Sequence, residues 1–277
     1  MVYHLSATKL KTYHRCPRAY YCRYEYGLPN AATFGAAALG NALHQTLAQV
    51  YGEWHYQEPL PPLTWLEQCW RQHSNNLSPI QVEEGWQILK QYYESFIQPF
   101  PVLRRPLSVE GRIQGRLQFE EIEFKLTGRY DRLDVIDDGL ELIDYKSSKE
   151  PQPIDQEMID IQIGLYYLAL EQHYQNALRR SSLLYLRTGQ QVSFEASRNH
   201  KRQVESIISN LALQLRADRT WKPQVGDQCN NCTYARYCPA FHTTPEPLPA
   251  KSEFLKRSIQ LSLSFHIPQA ASLVVHD

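Results

Sequence analysis

The stretch that most constrains this chain is residues 127–146, TGRYDRLDVIDDGLELIDYK. Two runs of β-branched, aromatic and aliphatic residues flank Asp137-Asp138-Gly139, and Asp-Gly between such runs is a strong hairpin signal. A tight turn at Asp138-Gly139 sets Asp137 opposite Leu140 and Asp131 opposite Lys146. Opposed residues share a face of the sheet. Asp144 and Lys146 are two apart on one strand, so they share that face too. This register gathers Asp131, Asp144 and Lys146 on one side and turns Asp134 and Tyr145 away. Asp131 and Asp144 become diagonal neighbours, roughly 7–8 Å apart. Two carboxylates reaching across that gap can hold one hard cation. A lone D-x-K is more often a solvated cross-strand pair. Here an acid on the partner strand arrives in register, and Leu140, Leu142 and Ile143 mark a buried strand, which favours a site.

Lys+Arg and Asp+Glu number 29 each in 277 residues, so the formal net charge is zero. That excludes a generally basic nucleic-acid binder; a DNA surface must be a local patch. Hydrophobic content of 43% suits a globular core and not disorder. No apolar run is long enough to span a membrane, and the opening MVYHLSATKL lacks a signal peptide's apolar stretch. The expected compartment is the cytoplasm, where structural disulfides are rare. Six cysteines then need another explanation.

In chain order, Ser6 reads as a helix N-cap, with Leu10 and Tyr13 on one face of a short helix ending near Cys16-Pro17. Residues 18–26, RAYYCRYEY, mix arginine with tyrosine as a surface segment or a weak DNA-facing patch. A helix is expected over 37–54, with Leu39, Leu43, Leu47 and Val50 as its apolar stripe and His44 at the stripe's edge. A histidine there is usually a packed core residue. Helices over 64–74 and 82–97 make residues 56–100 a helical insertion beside a sheet. Strands are expected at 107–114, 116–124, 126–136 and 140–146. Glu110, on the first of these, reads equally as a further site acid or an exposed strand residue. A helix over 155–178 carries Gln162 and Tyr166, four apart on one face; a buried Gln needs partners. Strands at 182–187 and 191–194 and a helix over 199–217 follow, giving an α/β or α+β core. Cys229, Cys232 and Cys238 then appear with metal-ligand spacing. Three thiols cannot close a tetrahedral site; Cys16, Cys22, Cys69 and His242 are the candidate fourth ligands. The expected division is a domain over 1–242 and a tail over 243–277.

These motifs, taken together and in order, resemble a known family. They are the opening S-x-x-x-L-x-x-Y-x-x-C-P (Ser6, Leu10, Tyr13, Cys16, Pro17), His44 in GNALH and G-R-Y-D-R around Asp131. D-Y-K at Asp144–Lys146, Q-x-x-x-Y at Gln162 and Tyr166, and the C-terminal C-x2-C-x5-C complete the set. The chain resembles the RecB-like nucleases of the PD-(D/E)xK superfamily, in the branch that carries an iron–sulfur cluster. That branch includes AddB-type nuclease domains and CRISPR-associated adaptation nucleases. The resemblance implies an α/β, restriction-endonuclease-like core, a central mixed sheet flanked by helices, with the cysteines joining the two ends of the domain. It implies that His44, Asp131, Asp144 and the backbone carbonyl of Tyr145 hold Mg²⁺ or Mn²⁺. Lys146 would be the catalytic lysine, supported by Gln162 and Tyr166, which also contact DNA. Cys16, Cys229, Cys232 and Cys238 would bind a [4Fe–4S] cluster. Where the superfamily name has Pro-Asp, this chain has Tyr130-Asp131.

The chemistry fits these residue types. Phosphodiester cleavage needs stabilisation of charge developing at phosphorus and an activated water, and a carboxylate-bound divalent ion supplies both. Lys146 can orient or deprotonate that water. The leading expectation is a metal-dependent DNA exonuclease acting on single strands or duplex ends in repair or recombination, with a helicase or a CRISPR integration partner as the candidate protein partner. A CRISPR adaptation nuclease that trims DNA for integration shares the same motifs. A non-catalytic, cluster-stabilised DNA-binding subunit is the reading from another class. A zinc staple is the alternative to iron, because thiolate spacing alone suits both.

Overall fold

The computed structural model describes residues 2–29, 34–119, 122–148, 164–170, 172, 174, 178–195 and 197–250. Its axis is strand β3 (Ile122–Ile136), which pairs antiparallel along its length with β2 (Ser108–Phe119). The other edge of β3 is shared. Strand β1 (Val2–Leu5) runs parallel to Glu123–Leu126, and β4 (Gly139–Lys146) pairs antiparallel with Arg132–Ile136. Between those two partners β3 has a gap, from Thr127 to Asp131. Beyond β4 lie β5 (Leu178–Tyr185), parallel to it, and β6 (Gln190–Glu195), antiparallel to β5. The six strands form one mixed sheet, as the central-sheet expectation requires.

Helices cover both faces. On one side α3 (Phe34–Glu53), α4 (Leu63–His73) and α5 (Pro79–Phe96) bury Leu43, Leu47, Leu66, Leu89 and Tyr92 against Ile143, Tyr145, Leu184 and Leu186. Helix α5 starts cleanly because Ser78 and Gln81 form a reciprocal capping box ahead of Pro79. On the other side α6, helical over 164–170, packs Tyr166, Tyr167, Ala169 and Leu170 on Ile113, Tyr130, Leu133, Leu140 and Leu142. Helix α1 (Ala7–Arg15) is capped at Ser6, whose Oγ accepts from the Lys9 N–H at 3.2 Å. It packs on α7 (Arg198–Ala217), where Tyr13 donates to Asp218 at 3.1 Å.

The chain divides into two compact units. One comprises Met1–Arg15 and Thr33–Arg219 and holds the sheet; the other joins Cys16–Ala32 to Thr220–Asp277. In the second unit α2 (Pro17–Tyr20) runs into a π-helical turn, Tyr21–Glu25, and Cys16, Cys22, Leu28, Tyr234 and Tyr237 form a small core.

Three local expectations change. The break expected after residue 114 is absent: β2 runs on through Gly115, whose missing side chain lets Ala169 of α6 approach the strand. The N-terminal strand β1 was not anticipated; four residues are too few for a periodicity to show. The β3–β4 turn is Asp137-Asp138, with Ile136 facing Gly139 and Arg132 facing Ile143. This is a shift of two residues, so Gly139 is the first residue of β4, where its φ of 156° is ordinary extended geometry for glycine. Carried one step further, the register sets Asp131 opposite Asp144 and not opposite Lys146. A slip of two keeps side chains on their faces, whereas a slip of one would exchange them.

Strict alternation, however, fails at Asp131. Tyr130 and Leu133 are three apart, an odd spacing that should separate their faces, yet both pack in the α6 cluster. Arg132, between them, enters the opposite layer. Across the ladder Glu110 has φ 50° and is skipped between the pairs Val109–Arg132 and Gly111–Tyr130. A non-glycine residue in the left-handed region costs of order 1–3 kcal/mol and persists only when its surroundings impose it. Both strands turn over here, and the Tyr130 ring fills the space that a Gly111 Cβ would need.

The buried Arg132 locks this change of face. Its Nη1 donates to the hydroxyls of Tyr92 and Tyr145, each at 3.0 Å, and its Nη2 lies 3.0 Å from Asp134 Oδ2. Its guanidinium stands 4.2 Å from the Tyr51 ring centre, and Tyr51 and Tyr92 share a 2.7 Å hydroxyl contact. Asp134 does point away from the Asp131 side, but it is the counter-charge of a buried cation. Asp134→Asn should therefore cost about 2 kcal/mol of stability, read as a lower urea midpoint, by leaving that cation without an anion. An unchanged midpoint would mean that solvent compensates the pair.

Candidate active site

The site forms where β1 and β4 part along β3. A strand edge without a neighbour leaves backbone groups to satisfy. Here the Tyr145 N–H donates to Asp131 Oδ2 at 2.6 Å, so a carboxylate replaces a ladder partner. That bond fixes one oxygen of Asp131 and leaves Oδ1 facing His44, whose Nδ1 lies 3.0 Å away. His44 rides on α3, which comes close because Gly40, one turn earlier, has no side chain: a Cβ there would stand 2.7 Å from Ser147 Oγ. The imidazole also meets the Tyr145 ring edge-on, with centroids 5.9 Å apart.

Glu110 completes a trio. Ligand atoms of His44, Glu110 and Asp131 all lie within 4.8 Å of one another, and among the described residues this is the one such set. The left-handed backbone at Glu110 is what brings its carboxylate here. Burial raises its pKa, and the charge of Asp131 adds to that, while Arg129 at 2.5 Å and His44 oppose it. Burial also works against a charge on His44, but the bond to Asp131 and the charges of Asp131, Asp144 and Glu110 outweigh it, so its pKa is raised. Crowded acids drawing a proton toward their histidine describe a place suited to a cation. The imidazole and carboxylate donors suit a divalent cation.

Asp144 sits beside the trio, buried and in contact with the Lys146 ammonium. Lys11 of α1 lies within electrostatic reach of both. Burial, then the charge of Lys146, pushes its pKa down to about 8, against the pull of Asp144. Tyr166 lies against the strand that carries Asp131. Its hydroxyl donates to the Arg129 carbonyl at 3.0 Å and its ring lies against Gly128, so it braces that strand. Gln162 lies outside the described residues. The structure thus gathers His44, Asp131, Asp144, Tyr145 and Lys146, sets Tyr166 against the backbone of Gly128 and Arg129, and adds Glu110 and Lys11. Glu110 was open to a sequence reading through its place opposite Asp131 and the glycine after it. Nothing in the sequence marked Lys11.

In the second unit the Cys232 thiol interacts with Cys16, Cys229 and Cys238, so chain-distant cysteines converge. No cysteine is in a disulfide. The Gln224 N–H points at Cys16 Sγ from 3.5 Å. Cys22 adjoins the group but is fully buried, and burial pushes its thiol up to about 11. Cys69 belongs to the α3–α5 core, in the other unit, its thiol pushed up to about 12 by burial.

Comparison with known proteins identifies the family. The pattern of the PD-(D/E)XK nuclease superfamily matches residues 4–239, and the chain belongs to that superfamily. Among solved structures it is similar to a candidate exonuclease from Eubacterium rectale. The identity is 12% over 89% of this chain and 91% of that one, with a TM-score of 0.52. A second is the protein SSO0001, at 13% identity over 86% and 87% of the two chains, with a TM-score of 0.41. No curated protein matches the chain. No described helix is long and apolar enough to cross a membrane.

The geometry puts Glu110 on a par with His44 as a candidate ligand. Glu110→Gln and His44→Ala should each weaken Mn²⁺ binding about 10-fold or more in calorimetric titration while the fold persists. Wild-type Mn²⁺ affinity in Glu110→Gln would reduce Glu110 to a partner of Arg129.

Proposed function

We propose that this chain is a divalent-metal-dependent DNA nuclease that hydrolyses phosphodiester bonds at single-stranded or duplex ends, in DNA repair or recombination. The observation that carries the reading is the His44–Glu110–Asp131 trio set beside the Asp144–Lys146 pair at the fork of β3. Membership in a nuclease superfamily supports it. A bound Mg²⁺ or Mn²⁺ would stabilise charge developing on the scissile phosphate and acidify a water. The protein's part is positioning. Asp131 is held by the Tyr145 N–H, so its second oxygen, which faces His44, is already placed to meet a cation. Asp144 holds Lys146 at the rim, where the ammonium can orient the attacking water or meet a phosphate oxygen. Lys11 adds a second cation to the same rim.

The four converging cysteines support a [4Fe–4S] cluster as a staple. Thiolate ligands suit zinc and iron–sulfur groups alike, and the resemblance carried by the C-x2-C-x5-C motif is what favours iron. Cys16→Ala should bleach the brown protein purified without oxygen, and Cys69→Ala should keep the colour. A colourless wild type carrying zinc would remove the iron assignment.

The test of activity uses Mn²⁺ with end-labelled linear and circular single-stranded DNA. Linear strands should shorten from an end, and circles should survive. Asp131→Asn, Asp144→Asn and Lys146→Ala should each slow cleavage by about 10²–10³, with Lys146→Ala still binding metal. Full activity in all three would place the chemistry elsewhere. No cleavage by the wild type would leave a DNA-binding subunit as the better reading.

A further inference from the structure

The β2–β3 ribbon has one apolar face, where Ile113, Leu117, Phe124, Leu126 and Tyr130 are buried. Its other face carries Arg112, Gln114 and Arg116 on β2 and Lys125, Thr127 and Arg129 on β3. In the register Arg112 faces Arg129 and Arg116 faces Lys125. Like charges directly opposite each other destabilise a sheet, and a ribbon shaped for stability alone would alternate their sign. The compensation present is partial. Arg116 lies 3.4 Å from Glu123 but is 80% exposed, where such a pair contributes little. Arg129 leans on Glu110. Arg112 and Lys125 form no ion pair among the described residues. The chain's net charge is zero, so this concentration of cations is not a by-product of a basic composition.

The placement of the two rows gives them a use. They stand four residues apart along the ribbon, roughly 13 Å, and the nearer one is two residues from Asp131 and Glu110. Between them lie Gln114 and Thr127, both exposed and polar, so the face offers charge and hydrogen bonds and no apolar surface. We propose that this face is the track along which a DNA strand reaches the metal trio, its phosphates held at the Arg116–Lys125 row and then at the Arg112–Arg129 row. The proposal rests on the nuclease reading above. Arg129 joins the two parts, since it touches both the track and the Glu110 carboxylate.

The test replaces Arg112, Arg116 and Lys125 together by glutamine and leaves Arg129, which touches the trio, in place. Binding of a fluorescent single-stranded DNA is followed by anisotropy over a salt series in EDTA. The comparison protein is Arg71→Gln/Lys90→Gln/Arg104→Gln, which loses the same charge from exposed positions off the ribbon. The track variant should bind at least about 10-fold more weakly. Its slope of log affinity against log salt should fall by about 2, at about 0.7 per lost phosphate contact. Its Mn²⁺ titration should match the wild type, and its melting temperature should be equal or higher, because repulsion is relieved. An unchanged affinity and slope, or an equal loss in the comparison protein, overturns the track. If the wild type cleaves DNA and the track variant binds as well as it does, the track alone fails. If the wild type binds DNA through these residues but never cleaves it, the nuclease reading fails and the track stands. A wild type that does not bind DNA sinks both.

Discussion

The structure turns on one hydrogen bond that a regular sheet would not contain. The Tyr145 N–H, which alternation would hand to a neighbouring strand, goes to the Asp131 carboxylate. Strand β3 can accept this because β1 and β4 use different parts of the same edge and leave a gap between them. An acid in that gap is both a structural substitute for a missing strand and a ligand with one oxygen to spare. The left-handed Glu110 opposite, the Tyr130 ring over Gly111 and the reversal of faces between Tyr130 and Leu133 all accompany that opening.

Holding such a discontinuity has a thermodynamic cost, and the α3–α5 layer offsets it. Arg132 ties Tyr51 of α3, Tyr92 of α5 and Tyr145 of β4 into one buried polar cluster. Buried cations are costly unless every partner is in place, so the cluster specifies one arrangement of helices on strands. Tyr145 belongs to both systems: its hydroxyl accepts from Arg132 and its backbone anchors Asp131. The segment read from sequence as an inserted pair of helices is in this way part of what positions the candidate site's acids.

Much of this was legible in advance. The hairpin, the helical stripe around His44 and the α/β order follow from periodicity and turn chemistry, and they hold in the structure. The pairing of β3 with β4 was displaced by two residues because Asp137-Asp138-Gly139 offers two possible turns, and sequence cannot weigh them. The shared face of Asp131 and Lys146 was inferred from strict alternation; the structure instead joins these residues through a break in it. A left-handed glutamate has no sequence signature, and the approach of Lys11 depends on how α1 crosses the sheet. Gly115 was read as a break between strands and proves to be a contact point, as does Gly40 within α3, because a missing side chain permits close packing as readily as it permits a turn.

The outer strand β2 shows another consequence. A twelve-residue strand whose outer edge has no strand neighbour among the described residues invites pairing with other chains. Here the side-chain amide of Gln172 accepts from the Arg116 N–H at 2.9 Å and donates to the Arg116 carbonyl at 2.6 Å, as a neighbouring strand would. Ala169 lies against Gly115 just beside it. One glutamine therefore acts as a strand of a single residue, guarding the backbone edge while the ribbon's charged face stays open to solvent. At Arg116 the ribbon is thus occupied along its edge and accessible across its face.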